Sequence, residues 1–209
     1  MFSLQRMLGR DDEFCALLEG SAQQAVNSVG ALKGILQSAF HQSSLDAFAA
    51  ARRNDKQITA QIAELLVRAL VTSLEREDIE SLAEALYKIP KTVEKFAERF
   101  LLTIDHVRDF EFTRQLVLLE EGVRSVLEMV QAFRAGAGVA EITRLDARIQ
   151  RLEREADQVS LEMVQRLYQP GFPTVRGIAL KDLIELNEKA VDRCRDASTV
   201  IARVVIKRY

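Results

Sequence analysis

The sequence predicts an all-α fold of six long helices, arranged as two tandem three-helix bundles. Three observations carry the prediction. The 209 residues are 48% apolar and 29% charged, with only 9 Gly, 3 Pro and no Trp, a balance that favours long helices over sheet. Apolar residues recur three and four apart through most of the chain, and no segment sustains period-2 alternation. Breaks between the helical stretches fall at similar intervals, which is how repeated helical units read.

The first helix is expected to follow "RDDEF", with Phe14, Leu17, Leu18, Ala22, Ala25, Val26, Val29, Leu32 and Leu36 on its apolar face. "HQSS" (41–44) interrupts it, and Ser43 or Ser44 can cap a second helix carrying Leu45, Phe48, Ile58, Ile62, Leu65 and Leu66. "TSLERED" ends that helix, and the third runs from about Glu77 to Leu102, with a kink but no stop expected at Pro90. A fourth helix is expected over 106–135, closed by the glycines of "AGAG". In the fifth, Ile142, Leu145, Ile149, Leu152, Ala156, Val159 and Met163 step alternately by three and four, a heptad seam. "QPGFPT" (169–174) is the clearest breaker, and the last helix runs from about Val175 nearly to the C-terminus. There "VVIKRY" places cations that suit the helix dipole and require no partner.

A shift of 101 residues superposes Leu17-Leu18-Glu19 on Leu118-Leu119-Glu120 and aligns the apolar registers and loops without a gap. Units at 1–104 and 105–209 follow from it. A formal net charge of −2 leaves no footprint for nucleic acid. Cys15 and Cys194 lie far apart without CxxC spacing and read as core residues in a reducing compartment. The N-terminus has no apolar run long enough for a signal peptide, and no stretch approaches the ~20 residues needed to span a bilayer. A cytoplasmic protein is expected.

Two carboxylate pairs stand out. Glu153 and Asp157 in "LEREADQV", and Glu188 and Asp192 in "NEKAVDRC", are four residues apart and so share a helix face. Helices five and six, joined by a short loop, should run antiparallel and bring the pairs together. Four facing carboxylates repel unless a cation neutralises them, and oxygen donors suit hard ions such as Mg²⁺, Mn²⁺ or Fe. Spacing alone does not separate such a site from an ordinary solvated face, because highly charged helices generate this pattern often.

"RLEREADQVS", "KDLIELNEKAVDRCRDASTVIARVVIK" and "LEREDIESLAEAL" resemble the PhoU-related phosphate-transport regulator family, whose shorter members accompany Pit-type phosphate transporters. Such proteins are similar to a tandem of three-helix bundles, each repeat carrying two E(D)xxxD motifs that hold a multinuclear metal cluster. The resemblance implies metal ligation (Fe, Mn, Mg or Zn) by Glu153, Asp157, Glu188 and Asp192 in the C-terminal repeat. It implies a non-enzymatic regulator docked on a Pit-type transporter, or on a phosphate-signalling membrane protein, at the inner face of the membrane. A homo-oligomer is also expected. The alternative is a purely structural helical scaffold without metal.

The N-terminal unit departs from the pattern. The same shift turns the four ligands into Arg52, Lys56, Tyr87 and Lys91, with Lys88 adjacent. Cations offer no lone pairs to a metal, so none is expected there. Arg52, Lys56, Lys88 and Lys91 are either solvated, in part paired with Asp55 or Glu84, or an anion- or partner-accepting patch. His41 and His106 belong to no ExxH pair, and GxGxxG, Walker, GxSxG and HExxH motifs are missing, so no catalytic set is expected.

Overall fold

The computed structural model describes residues 4–37, 45–68 and 74–208. Among them the chain forms seven α-helices and no strand: α1 Leu4–Gln37, α2 Asp46–Arg68, α3 Arg76–Leu102, α4 Ile104–Val107, α5 Thr113–Arg134, α6 Val139–Leu167 and α7 Thr174–Ile206. The expected caps Ser43 and Ser44, and His41, lie outside the described residues.

Two helix boundaries correct the sequence reading. Helix α1 begins at Leu4 and runs through "RDDEF", a segment with no Pro or other breaker to stop it. The expected fourth helix is divided into the one-turn α4 and the long α5. Aromatic packing accounts for the break. Phe112 is 3% exposed and meets Phe96 of α3 edge-to-face, with ring centroids 5.3 Å apart, and Phe110 in turn packs on Phe112 at 5.0 Å. Turning the buried Phe112 and the partly buried Phe110 toward the same core, two residues apart, is incompatible with one continuous helix face.

Elsewhere the apolar periodicity becomes the core. All seven seam residues of α6, from Ile142 to Met163, are buried. Pro90 lies inside α3, which continues through it to Leu102. Gly136 and Gly171, with φ of 78° and 87°, take the left-handed turns after α5 and within "QPGFPT". Both cysteines are buried thiols.

Helices α1, α3, α7 and α5 pack in a closed ring, α2 flanks α1 and α3, and α6 flanks α5 and α7. Charge pairs at both ends make the central neighbours antiparallel. Between α3 and α7 they are Arg99–Asp182 (3.2 Å) and Lys207–Asp78 (3.0 Å). Between α1 and α5 they are Lys33–Glu120 (2.6 Å) and Arg134–Glu19 (2.8 Å). The C-terminal cations therefore do have partners: Lys207 also binds Glu75 at 3.0 Å, and Arg208 stacks 5.0 Å over the Phe133 ring.

The flanking helices differ. Helix α6 packs closely on α7 along its length, whereas α2 rests lightly on α3. A groove of about 650 Å³ opens between α2 and α3, lined by Lys56, Ile62, Leu66, Glu84 and Tyr87 among others.

Candidate metal centre on α6 and α7

The short "QPGFPT" connection folds α7 back along α6, and two hydrogen bonds fix their register. Ser198 Oγ donates to Asp146 Oδ1 at 2.7 Å, and Arg195 Nη1 donates to Glu153 Oε1. Deeper in the bundle, Gln115 of α5 donates from Nε2 to Ser160 Oγ (3.1 Å) and to the Ile184 carbonyl (3.4 Å). This buried polar tie joins α5, α6 and α7 one turn along α6 from Asp157. A buried donor–acceptor set of this kind fixes helix register, because any slip would strand its polar groups.

Against that frame the four predicted carboxylates come to one face. Glu153 is 9% exposed, Glu188 and Asp192 are half-buried, and Asp157 is exposed. Their fields overlap. Burial, then Glu153 and Asp192, pushes the Asp157 carboxyl above the usual range, against the opposing pull of Arg195. Burial, then Asp192, Asp157, Glu185 and Glu153, raises Glu188. Burial also raises Asp192, with Asp196 and Glu153 adding to it and Arg195 and Arg193 opposing.

Arg195 was not legible as part of this centre from spacing alone. It lies one turn after Asp192, and its guanidinium sits between the helices. Besides Glu153 it contacts Asp192 at 3.0 Å and Asp196 at 3.2 Å through Nη2. Arg193 binds the other Asp196 oxygen at 2.7 Å. Among the described residues, neither Asp157 nor Glu188 has a hydrogen-bond or ion-pair partner of this kind. The signal was a base inside an acidic motif, "DRCRD", three residues from a carboxylate on the same helix.

The donor set fits a hard cation in its chemistry: oxygen ligands only, drawn from two helices, with negative charge in excess of the two arginines. As the side chains stand, however, no three His, Cys, Asp or Glu residues among the described residues converge closely enough to hold one ion. Glu153 and Asp192 spend their oxygens on the guanidinium instead.

The N-terminal counterpart is disposed differently. Lys88 pairs with Glu84 at 2.7 Å on the same helix, and Lys91 lies 5.7 Å over the Tyr87 ring. Lys56 is exposed at the rim of the α2–α3 groove, and the side chain of Arg52 lies outside the described set. The patch is thus two exposed lysines, Lys56 and Lys91, flanking Tyr87, with Lys88 already paired along its own helix.

The fold has known counterparts. A crystal structure of a protein from Shewanella oneidensis MR-1, described as a PhoU-like phosphate regulatory protein, superposes with a TM-score of 0.67 at 13% identity, over 96% of this chain and 99% of that one. A second structure from the same organism, described as a PhoU-like protein, gives 0.65 at 14% identity over the same shares. No family model and no curated protein matches the chain. The fold is therefore PhoU-like. Among the described residues, no helix is long and apolar enough to cross a membrane.

Proposed function

We propose that this protein is a non-enzymatic regulator of inorganic phosphate transport. It acts at the cytoplasmic face of a membrane transporter of the Pit type, on which it docks through its helical surface. The observation that carries this reading is the end-to-end likeness to a structure described as a PhoU-like phosphate regulatory protein, which covers nearly all of both chains. In the same reading Glu153, Asp157, Glu188 and Asp192 hold a divalent or iron-type ion, which supplies the positive charge that this carboxylate-rich face lacks. Ligation from both helices clamps α6 to α7 and stiffens the outer face of the C-terminal half. Lys56 and Lys91 remain as candidates to receive an anionic partner group.

Two measurements test the reading. Radiolabelled phosphate uptake should change when the gene is deleted and return with the wild-type chain; unchanged uptake would remove the regulatory role. Elemental analysis of the purified protein should find metal in the wild type and a reduced content in the Glu153→Ala/Asp192→Ala variant. A second reading, a metal-free structural scaffold, draws on the internal closure of the centre by Arg195, and a metal-free wild type with unaltered uptake would favour it.

A further inference from the structure

We propose that the α2–α3 groove is a binding site for a single-chain anionic amphiphile, a free aliphatic carboxylate whose tail lies in the groove and whose head meets Lys56 and Lys91. These are the lysines named in the proposed function as acceptors of an anionic partner group, and here they gain a ligand class. Binding is read on the purified chain, so its failure would leave the phosphate-transport role and the carboxylate face untouched.

Size and lining come first. The groove holds about 650 Å³, within the range of about 300–1,000 Å³ usual for small-molecule sites. Its walls are apolar, with Ala60, Ile62, Ala63 and Leu66 from α2 and Ala83 from α3. From Lys56 to Leu66 the α2 wall runs about 15 Å, an elongated trough that suits an extended chain. The trough is open because its side chains are short. The 101-residue shift places Leu161, Val164 and Ile184 where Ala60, Ala63 and Ala83 stand, and there α6 packs closely on α7.

Charge is graded along the trough. Helices α2 and α3 run antiparallel here: Ala51, before Lys56 in α2, shares a small recess with Pro90 and Lys91, after Tyr87 in α3. Lys56, Tyr87 and Lys91 therefore gather at one end, with Leu66 and Glu80 at the other. The Tyr87 ring, 5.7 Å from the Lys91 ammonium, draws that cation toward the mouth. Lys88 binds Glu84 at 2.7 Å. Among the described side chains at that end, Lys56, Lys88 and Lys91 outnumber Glu84 and Glu94, so the mouth keeps a positive balance. The same shift puts Asp157 and Asp192 where Lys56 and Lys91 stand. One seam is acidic and closed; its counterpart is basic and open. A ligand for the open seam needs an aliphatic body and one anionic end. Glu80 repels that end from the far side, which fixes a single orientation. An inorganic anion would leave the apolar trough unused, and a neutral hydrocarbon would leave the lysines unused.

The test is titration calorimetry of dodecanoate, kept below its micellar concentration, into the purified full chain. Saturable one-to-one binding is expected. Lys56→Glu, at an exposed position, should weaken it about fivefold, as for the loss of a screened ion pair. Ala63→Val/Ala83→Ile gives the groove the bulk of its C-terminal counterpart and should weaken binding by about tenfold or more. Circular dichroism and melting temperature check that both variants fold, and Lys56→Glu decides alone should the double variant not. No saturable binding by the wild type overturns the proposal. Binding at several equivalents, or of equal strength in all three proteins, also overturns it and marks dodecanoate as an adventitious additive only. Association with phosphatidylglycerol vesicles without binding of free dodecanoate overturns it in favour of a membrane surface. Concentration-dependent dimerisation that Ala63→Val/Ala83→Ile abolishes, again without dodecanoate binding, overturns it in favour of a second copy of the chain.

Discussion

At the scale of single residues, the carboxylate face is the place where charge and fold pull against each other. Raised carboxyls on Asp157, Glu188 and Asp192 mean that the folded, metal-free chain binds protons there more readily than the unfolded chain. Their contribution favours folding below the raised values and is lost as pH climbs past the ordinary carboxylate range, near ~4. Glu19 and Glu120 act oppositely: hydrogen bonds from Arg134 and Lys33 respectively hold them low, so their stabilisation is present at neutral pH and vanishes on strong acidification. The metal-free protein should therefore be most stable in mildly acidic buffer, as a melting series across pH in chelator will show. Glu188→Gln removes the most crowded charge and should raise neutral-pH stability in chelator by about 0.5–1 kcal/mol, taking a few tenths for each like-charge contact. The same substitution should weaken Mn²⁺ binding, a combination that simple packing loss would not produce. The four carboxylates were legible because helical spacing is geometric and independent of context. Arg195 was not, because its reach across to α6 depends on the register of two helices, which no local pattern encodes.

Among the elements, α6 and α2 show how far an apolar period predicts packing. Helix α6 carries an unbroken heptad seam and every member of it is buried. Ile149→Ala should cost about 2–5 kcal/mol in chemical unfolding, as expected for deleting a close-packed aliphatic side chain. Helix α2 has a sparser pattern, rests lightly on α3, and leaves Val67 83% exposed. Val67→Ser should shift stability by no more than about 0.5 kcal/mol by the same measurement. The break between α4 and α5 escaped the sequence reading for a physical reason. "RDFEF" has no Pro or Gly, and the turn is made by Phe112 packing on Phe96, with Phe110 against Phe112, rather than by any local breaker. Turn chemistry can be read from the chain; a turn imposed by distant burial cannot.

Across the whole molecule, the ring of α1, α3, α7 and α5 is tied by ion pairs whose positions answer one another. The 101-residue shift takes residue 19 to 120 and residue 33 to 134, so Lys33–Glu120 and Arg134–Glu19 are the same two places with chains of opposite order. Both are partly exposed, so each should contribute less than about 1 kcal/mol, and a double-mutant cycle on Lys33 and Glu120 should return a coupling in that range that shrinks in high salt. All-α class, helix order and most of the core followed from period and composition. The closure of the ring did not, because antiparallel pairing of α1 with α5 and of α3 with α7 joins residues more than eighty positions apart.

Cys194 sits wholly inside this arrangement, 0% exposed, with Gly122 of α5 leaving the room that its sulfur fills at 3.5 Å from where a Cβ would stand. Burial raises its thiol far above the ordinary value, so the folded form offers almost no thiolate to a reagent. A disulfide reagent in solution can then reach it only when α5 and α7 part, which makes the labelling rate of Cys194 a stopwatch for that opening. Because the next residue is Arg195, the stopwatch stands beside the guanidinium that ties α7 to α6. Arg195→Met, which removes that tie, should speed labelling of Cys194 relative to the wild type.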